Sequence, residues 1–600
     1  MRFRDKRQEL PLRSICIILL FFAGMLYNSA YSQDTLHVHD NIIVPAGEVM
    51  HIEPGTVVLF HGYFHISVAG SLIAAGTHDQ PILFTVADTT GLYDTHVASG
   101  GWNGIRFDTT EQDELPTPSW LSYCTFEFSK ASGQDFQNGG AISLEGEKDV
   151  TIQNCTFRFN VAYRKGGAIY ILENNALITQ SHFYQNSAAN RESELYAYGG
   201  AIYTDASRST VSWCRFEFNH ANGMGGAINL ERSHVTLFNN IIQHNDAPLG
   251  GGIGIIRTES ASVLSNSLIT HNTSMFFGGG IAIIDAAMTI ANCNILNNYA
   301  GYGGGLYFNE ESKPKFFNTI IRGNRVYPDT LQQVFIFDGL SAPDFYHCNI
   351  EGGQEAFQGP GQDEYSGAYV NNMDADPLFA DPANQDFQLM DDSPCIDSGY
   401  EQSEILGIHH LDLAHNPRFS GARIDMGAFE FQDPYNYFRL TLSTQGQGTT
   451  EPGEGEYILR EGAEILLQAY PAEGWVFDHW VTTHGVFNEP VVEFELDQDV
   501  DAVAVFQFQT AIFHQLKDYP GVWPNPVTDL LQIRLPAEMD NKEVLIELRE
   551  QCGRIVKAQL HYIAENPFFI PFDFSKLKKG VYILIIHEGK YEGKVFKIVK

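Results

Sequence analysis

Between residues 120 and 330 the chain repeats a short alternation of apolar and polar positions that ends each time on asparagine. The copies are NCTFRFN, SHFYQN, CRFEFN, NNIIQHN, NSLITHN, NCNILNN and NTIIRGN, closing at Asn160, Asn186, Asn219, Asn245, Asn272, Asn298 and Asn324. Three places before the asparagine stand Phe157, Phe183, Phe216, Ile242, Ile269, Ile295 and Ile321, all large and apolar. Two places before it stand Arg158, Tyr184, Glu217, Gln243, Thr270, Leu296 and Arg322, mostly polar. A period of two predicts a strand whose first column faces a core and whose second faces outward. Five places before the asparagine come Cys155, Ser181, Cys214, Asn240, Ser267, Cys293 and Thr319, with Cys124 and Cys348 in the same column of flanking copies. This small inward column reads as buried space-filling, with no constant histidine to make its thiols catalytic. The asparagines suit a bend that visits the left-handed region, and their amides are expected to hydrogen-bond from one copy to the next as a structural ladder.

A glycine motif interleaves with these runs. It reads GGAIS, GGAIY, GGAIY, GGAIN, GGIGI, GGIAI and GGLYF, with second glycines at Gly140, Gly167, Gly200, Gly226, Gly252, Gly280 and Gly305. Both landmarks recur at about 26 residues, and short β-branched and aromatic runs between turns make the array a β-solenoid rather than a helical one. The fold class is all-β.

The chain resembles the right-handed parallel β-helix of the pectin-lyase-like superfamily over roughly residues 40 to 430, which implies three strands per coil. The opening LHVHDNIIVPAGEVMHIEPGTVVLFHG, then GSLIAAGTHDQPILFT and GWNGIRF, is similar to the first coils of secreted bacterial members. The stretches DADPLFADPANQDFQLMDDSPCIDSGY and NPRFSGARIDMGAFEF resemble their closing segment. The domain is drawn at 33–432 with its caps. In the closing segment Asp397, Asp412, Arg418, Asp425 and Glu430 are expected to tie down the last coil by charge-assisted bonds. His409, His410, Asp412 and His415 offer metal-ligand chemistry without a fixed ligand geometry.

Past Asp433 the texture changes. Residues 433–510, with GQGTTEPGEG, AYPAEGWVFDHW and DVDAVAVF, resemble the divergent bacterial surface repeat, a small all-β module whose Trp475 and Trp480 are expected in its core. After a linker at 511–519, residues 520–600 resemble the C-terminal sorting domain of the type IX secretion system. The residues that carry the likeness are Pro524, Asn525 and Pro526 in an opening turn, Gly553 and Arg554 in a hairpin, and Gly580, Val581 and Tyr582 before the last strands. The resemblance implies a Gram-negative host of the Bacteroidetes-like group, passage through that machinery, and a protein secreted or held on the outer cell surface.

Composition agrees with export. Residues 1–32 combine a basic start, the apolar run ICIILLFFAGML and small residues at Ala30 and Ser32, which reads as a signal peptide cut before Gln33. No later stretch is long and apolar enough to cross a bilayer, so the mature chain is expected to lack a transmembrane segment. The net charge of −36 excludes nucleic acid as a natural partner and suits a solvated surface or divalent cations. Of eight cysteines one lies in the signal, and the remaining ones are scattered singly, so a disulfide scaffold is not indicated, although Cys124 and Cys155 stand as neighbours in one column.

Candidate chemistry is sparse. Five residues after each second glycine come Glu145, Leu172, Asp205, Glu231, Arg257, Asp285 and Glu310, a mostly acidic stripe formed by Glu145, Asp205, Glu231, Asp285 and Glu310. In register, its charges would sit about 5 Å apart and need water, an arginine or a shared hard cation such as calcium. No cofactor is required otherwise. Lyases of the resembling superfamily use an arginine or lysine base beside acidic ligands, and its hydrolases use paired carboxylates. Arg158, Arg215 and Glu217, on one outward surface, are the catalytic candidates on that analogy, yet an Arg–Glu pair on a sheet is commonly plain charge decoration. The leading expectation is an exported, non-catalytic platform that binds a glycan or adheres to a surface. The alternative is a secreted polysaccharide lyase or glycoside hydrolase.

Overall fold

The computed structural model describes residues 34–94, 96–108, 118–132, 136–146, 149–189, 196–258, 261–400, 408–433, 436–508, 521–523, 527–535, 542–550, 553–563, 568–588 and 591–600. The expected signal peptide, the 511–519 linker and Pro524, Asn525 and Pro526 lie outside them. The chain divides into two units, Met1–Asp433 and Pro434–Lys600.

The first unit is a parallel β-helix. Three sheets of 12, 11 and 12 strands run its length, and a fourth sheet of nine very short strands fills one corner. One coil illustrates the path. Arg215–Glu217 lies on face one, His220–Ala221 on the corner sheet, Ile228–Glu231 on face two and Thr236–Phe238 on face three, before Ile241–Gln243 returns to face one. Strands stack in register from coil to coil, Phe157 against Phe183, Phe183 against Phe216 and Phe216 against Ile242. The alternating apolar residues therefore form columns inside the coil. Phe84, Phe126, Phe157, Phe183 and Phe216 are stacked rings with centroids 4.7–4.8 Å apart, all fully buried.

The asparagine column is a continuous buried ladder. Asn160 Nδ2 donates to Asn186 Oδ1 at 2.8 Å, Asn186 to Asn219 at 2.9 Å, Asn219 to Asn245 at 2.9 Å and Asn245 to Asn272 at 2.9 Å. Asn272 then donates to Asn298 and Asn298 to Asn324, each at 3.0 Å. Ser129 Oγ opens the ladder on Asn160 Oδ1, and Asn324 donates on to Gln333 Oε1. The left-handed residue of the bend is not the asparagine, however. It is the one before it: Phe159, Gln185, Phe218, His244, His271 and Asn297 have φ of 52–58°. That twist turns each asparagine side chain inward over the corner, which explains why the amide is buried rather than exposed at the bend.

The glycine alignment also shifts. Ile202, Ile228, Ile253, Ile281 and Leu306 are in register on face two. Gly252, Gly280 and Gly305 therefore occupy the column held by Ala141, Ala168, Ala201 and Ala227, and the true counterparts of Gly226 are Gly251, Gly279 and Gly304. The later copies contain three glycines in a row, so pairing them on the last two slips the register by one residue.

The small inward column holds Cys124, Cys155, Cys214, Cys293 and Cys348 as buried free thiols, and burial pushes the Cys214, Cys293 and Cys348 thiols up to about 12. Cys214 Sγ donates to Ser212 O at 3.2 Å, just as Ser181 Oγ donates to Thr179 O and Ser267 Oγ to Ser265 O two residues back. Serine and cysteine thus fill the same place in the same way. Cys214→Ser is expected to change stability by about 1 kcal/mol or less, read as a urea midpoint, and the five thiols of this column should stay unreactive toward a disulfide reagent until the β-helix is unfolded.

Residues 373–400 and 408–430 return along the outside of the helix as a strap. Leu413, Met426 and Ala428 bury a second apolar cluster against Leu268, Leu296 and Ile320 of face one. Asn239 Nδ2 donates to Asp412 O at 2.7 Å, Asn292 Nδ2 donates to Asp425 O at 2.9 Å, and Asn318 Oδ1 accepts from Tyr400 N. Gln243, Thr270 and Leu296, expected to face outward, are buried, Leu296 in the cluster shared with the strap. Inside the strap Arg418 is fully buried and donates to Asp425 O and Gly427 O, while Asp412 accepts the Ala414, Asn416 and Glu430 amides. Asp425 binds the Asp397 and Phe431 amides, and Asp397 accepts from Arg423 N.

In the second unit residues 437–508 form antiparallel-rich sheets of five and three strands around Trp480, with Trp475 packed against that core. The described residues between 521 and 599 form sheets of three and four strands around a separate core that includes Tyr582. Arg554 pairs with Glu550 across the tight turn at Gly553, and Gly580 exchanges both backbone hydrogen bonds with Lys600. Among the described residues no helix is long and apolar enough to cross a membrane.

Candidate functional site

Because the strap covers face one from the coil of Gln243 onward, the polar columns stay open only on the preceding coils. There the strands Cys124–Glu127, Thr156–Arg158, His182–Tyr184 and Arg215–Glu217 lie side by side in register. The three sequence candidates Arg158, Arg215 and Glu217 meet on this surface, joined by Glu127, His182, Tyr184 and Gln243.

The charges are answered in pairs. Arg158 holds Glu127 Oε2 through Nε at 2.7 Å and Nη2 at 2.6 Å, and Thr85 donates to the other Glu127 oxygen. Glu217 Oε1 accepts from Arg215 Nη2 at 2.8 Å and Gln243 Nε2 at 2.7 Å, while Oε2 lies 2.8 Å from both Arg215 Nε and His182 Nε2. The carboxylates lie beneath, 10% and 12% exposed, and their guanidinium partners, each 45% exposed, form the outer layer. Burial by itself would raise the Glu217 carboxyl, but the hydrogen bonds from Arg215 and Gln243, the Arg215 charge and the His182 bond bring it down to about 2. Such a carboxylate neither gives nor takes a proton near neutrality. A folded-state value below the ordinary 4.5 means that its stabilising contribution is complete above about pH 4.5 and vanishes as pH falls through about 2. The stability gap between the wild type and Glu217→Gln should accordingly be constant above that range and close in acid, as measured by urea unfolding across pH.

Beside these pairs runs an external line of rings, one per coil. Phe128, Phe159, Tyr184, Phe218, His244 and His271 follow one another with centroids 5.1–5.9 Å apart. The left-handed corner position supplies all of them except Tyr184, whose coil carries Gln185 at the corner instead. The Tyr184 ring stands 87° to Phe159 and 77° to Phe218, across the direction of the stack. Sequence columns centred on the strand missed this line, although the residue before each ladder asparagine carries the signal.

The acidic stripe does not extend along the helix. Glu145, Leu172, Asp205 and Glu231 are in register, but the next residues in that column are Ile256, Ile284 and Asn309. Arg257, Asp285 and Glu310 fall one place later, at the left-handed turn from face two to face three, the same one-residue slip that displaces the glycines. Glu145 accepts from the Ser143 hydroxyl at 2.9 Å, and Asp205 and Glu231 are matched by protein cations. Arg232 grips Asp205 with bonds of 2.9 and 2.6 Å, Lys165 lies 4.0 Å from Asp205 and 3.9 Å from Glu231, and Arg257 lies 3.6 Å from Glu231. The Tyr203 hydroxyl bridges Lys165 and Glu231, and its ring lies 4.2 Å beneath the Lys165 ammonium. Tyr203 is fully buried, so this cluster holds face two together beneath its turns.

Among the described residues no group of three or more His, Cys, Asp or Glu side chains is arranged to hold a metal ion. His409 stacks on Phe238 at 4.8 Å and His415 on Trp213 at 3.8 Å, so these two rings fasten the strap to the corner between faces three and one. The strap-binding Asn239, Asn266, Asn292 and Asn318, each six places before a ladder asparagine, form another column that is visible in the sequence once the copies are aligned.

Comparison with known proteins fits this architecture. Residues 103–287 match the family described as Right handed beta helix region, residues 438–510 the Divergent InlB B-repeat domain, and residues 521–600 the Secretion system C-terminal sorting domain. The protein is a right-handed parallel β-helix followed by smaller β modules, and its type IX sorting domain marks it for export and attachment at the cell surface. The metabotropic glutamate receptor-like protein R of Dictyostelium discoideum is 33% identical over 99 residues, 16% of this chain; the match spans only 6% of that relative's length. The crystal structure of the periplasmic alginate epimerase AlgG is similar over 57% of this chain and 79% of that one, with 12% identity and a TM-score of 0.26.

Proposed function

We propose that this exported surface protein is a non-catalytic platform that holds a glycan on the open stretch of face one. The observation that carries the reading is the state of Glu217. Its oxygens are engaged by Arg215, His182 and Gln243, and it stays ionised down to strongly acid pH. A general acid or base needs a proton affinity near the working pH and a lone pair or proton turned toward substrate, whereas Glu217 spends its lone pairs on the protein. The other carboxylate of the stretch, Glu127, takes both Arg158 nitrogens on Oε2 and the Thr85 hydroxyl on Oε1, so its oxygens are engaged as well. A surface of fixed, internally neutralised donors beside a line of rings suits retention of sugar hydroxyls and ring faces, where aromatic contact and hydrogen bonds both contribute.

The test is incubation of the mature protein with neutral and anionic polysaccharides, with and without calcium, monitored for reducing ends, unsaturated products and retention. Retention without new ends is the expected result. Cleavage that disappears in Arg215→Gln or Glu217→Gln would overturn the platform in favour of a lyase or hydrolase, and a requirement for calcium would add a bound cation to the reading.

A further inference from the structure

We infer that the ligand held on face one is a neutral polysaccharide lying along the helix axis, crossing the strands between Glu127 and Glu217 and ending at the strap. This rests on the glycan platform proposed above and names its ligand class and direction.

Charge decides the class. A polyanion approaching this protein meets a body of net charge −36, an unfavourable field that salt screens only beyond about 8 Å. At the surface it finds guanidinium groups already held by carboxylates, Arg158 by Glu127 and Arg215 by Glu217. An anion would have to compete with a buried partner held by two close guanidinium contacts, and it would gain little from a pair whose net charge is zero. Sugar hydroxyls have no such conflict, since they accept from the outward edges of Arg158 and Arg215 without displacing the carboxylates beneath. The ring line is likewise suited to an uncharged ligand. Burial, reinforced for His244 by the Arg215 charge and for His271 by His244, keeps both imidazoles below their ordinary value, so at neutral pH they are uncharged aromatic surfaces like Phe159 and Phe218.

Geometry decides the direction. The rings succeed one another along the axis, and Tyr184 turns across that line beside the two arginine pairs. A chain following them crosses four adjacent strands, a span of roughly 14 Å at the ~4.8 Å strand spacing, before Ile241 and Leu268 disappear under the strap. The footprint is therefore that of a short oligosaccharide segment with one closed end.

Affinity electrophoresis of the full chain separates the outcomes. The gels contain xyloglucan, hydroxyethyl cellulose or dextran as neutral probes, or alginate or polygalacturonate as anionic ones, each at low and physiological salt. Retardation by a neutral glycan that is indifferent to salt is expected. Tyr184→Ala and Phe218→Ala should each weaken it by about tenfold, while Tyr327→Ala, an exposed ring on another part of the helix, leaves it unchanged. Retardation by the polyanions alone, lost at physiological salt, overturns the neutral assignment and leaves the platform standing. Absence of retardation by every probe overturns both. The salt comparison uses the wild-type chain and does not depend on whether a variant folds.

Discussion

Replacing Gly226 by alanine is expected to cost on the order of 4 kcal/mol and to lower the urea midpoint of the β-helix more than any surface change. A Cβ at this position would sit 2.1 Å from Gly251 O and 2.7 Å from Asp246 N, both backbone atoms of the next coil. Relief requires the coils to separate, and separation breaks the strand pairing on either side. Gly252→Ala is the control. That residue shares its column with Ala141, Ala168, Ala201 and Ala227, and its added Cβ meets Gly280 O at 2.8 Å, so a loss of about 1 kcal/mol is expected. Pairing the glycines as they first look in the sequence puts both residues in one column and would predict similar losses, so the two unfolding curves also test the one-residue shift in alignment.

Asn219→Ala is the second large effect. The side chain donates to Phe183 O at 3.0 Å and to Asn245 Oδ1 at 2.9 Å, and its own oxygen accepts from the backbone and side-chain nitrogens of Asn186. Truncation strands several fully buried polar groups where no water reaches them. At ~1–3 kcal/mol for each orphan, less what relaxation recovers, the loss should be about 3 kcal/mol. Asn219→Asp keeps the accepting oxygen but sets a carboxylate against Asn245 Oδ1. It should be at least as harmful at neutral pH and less so in acid, where protonation restores a donor. In a solenoid each coil leans mainly on its neighbours, so both substitutions should also broaden the transition by uncoupling the two halves of the helix.

The strap gives a pH dependence of opposite sign to that of Glu217. Asp425 and Glu430 share one buried arginine, and burial raises both carboxyls. The folded state then holds protons that the unfolded chain has released, so stability falls as pH rises from the ordinary carboxylate range upward.

Much of this could be read from the chain because a β-helix writes its packing locally. Period-two alternation placed Phe157, Phe183 and Phe216 in the core, and strict recurrence placed the asparagines in one column, since each coil repeats the environment of the last. What stayed hidden depended on contacts between distant segments. Leu296 looks outward from its strand, and it is buried in a cluster with Leu413, Met426 and Ala428 of the strap. Glu217 looks like a candidate base until His182, Arg215 and Gln243, from three adjacent strands, are seen to use its oxygens. The acidic stripe depended on register at the single residue level, which the triple glycines at 250–252, 278–280 and 303–305 obscure. The ring line went unseen because its residues occupy a bend, where strand periodicity carries no information.

The most direct measurement of the central claim is hydroxyl-radical footprinting of the intact protein with and without the polysaccharide it retains, combined with end-group analysis of that polysaccharide. Protection of Phe159, Tyr184 and Phe218, unchanged labelling of the exposed Met275 and Tyr327, and an uncut glycan are the predicted results. Protection elsewhere with face one labelled as before, or new chain ends in the glycan, would contradict the account.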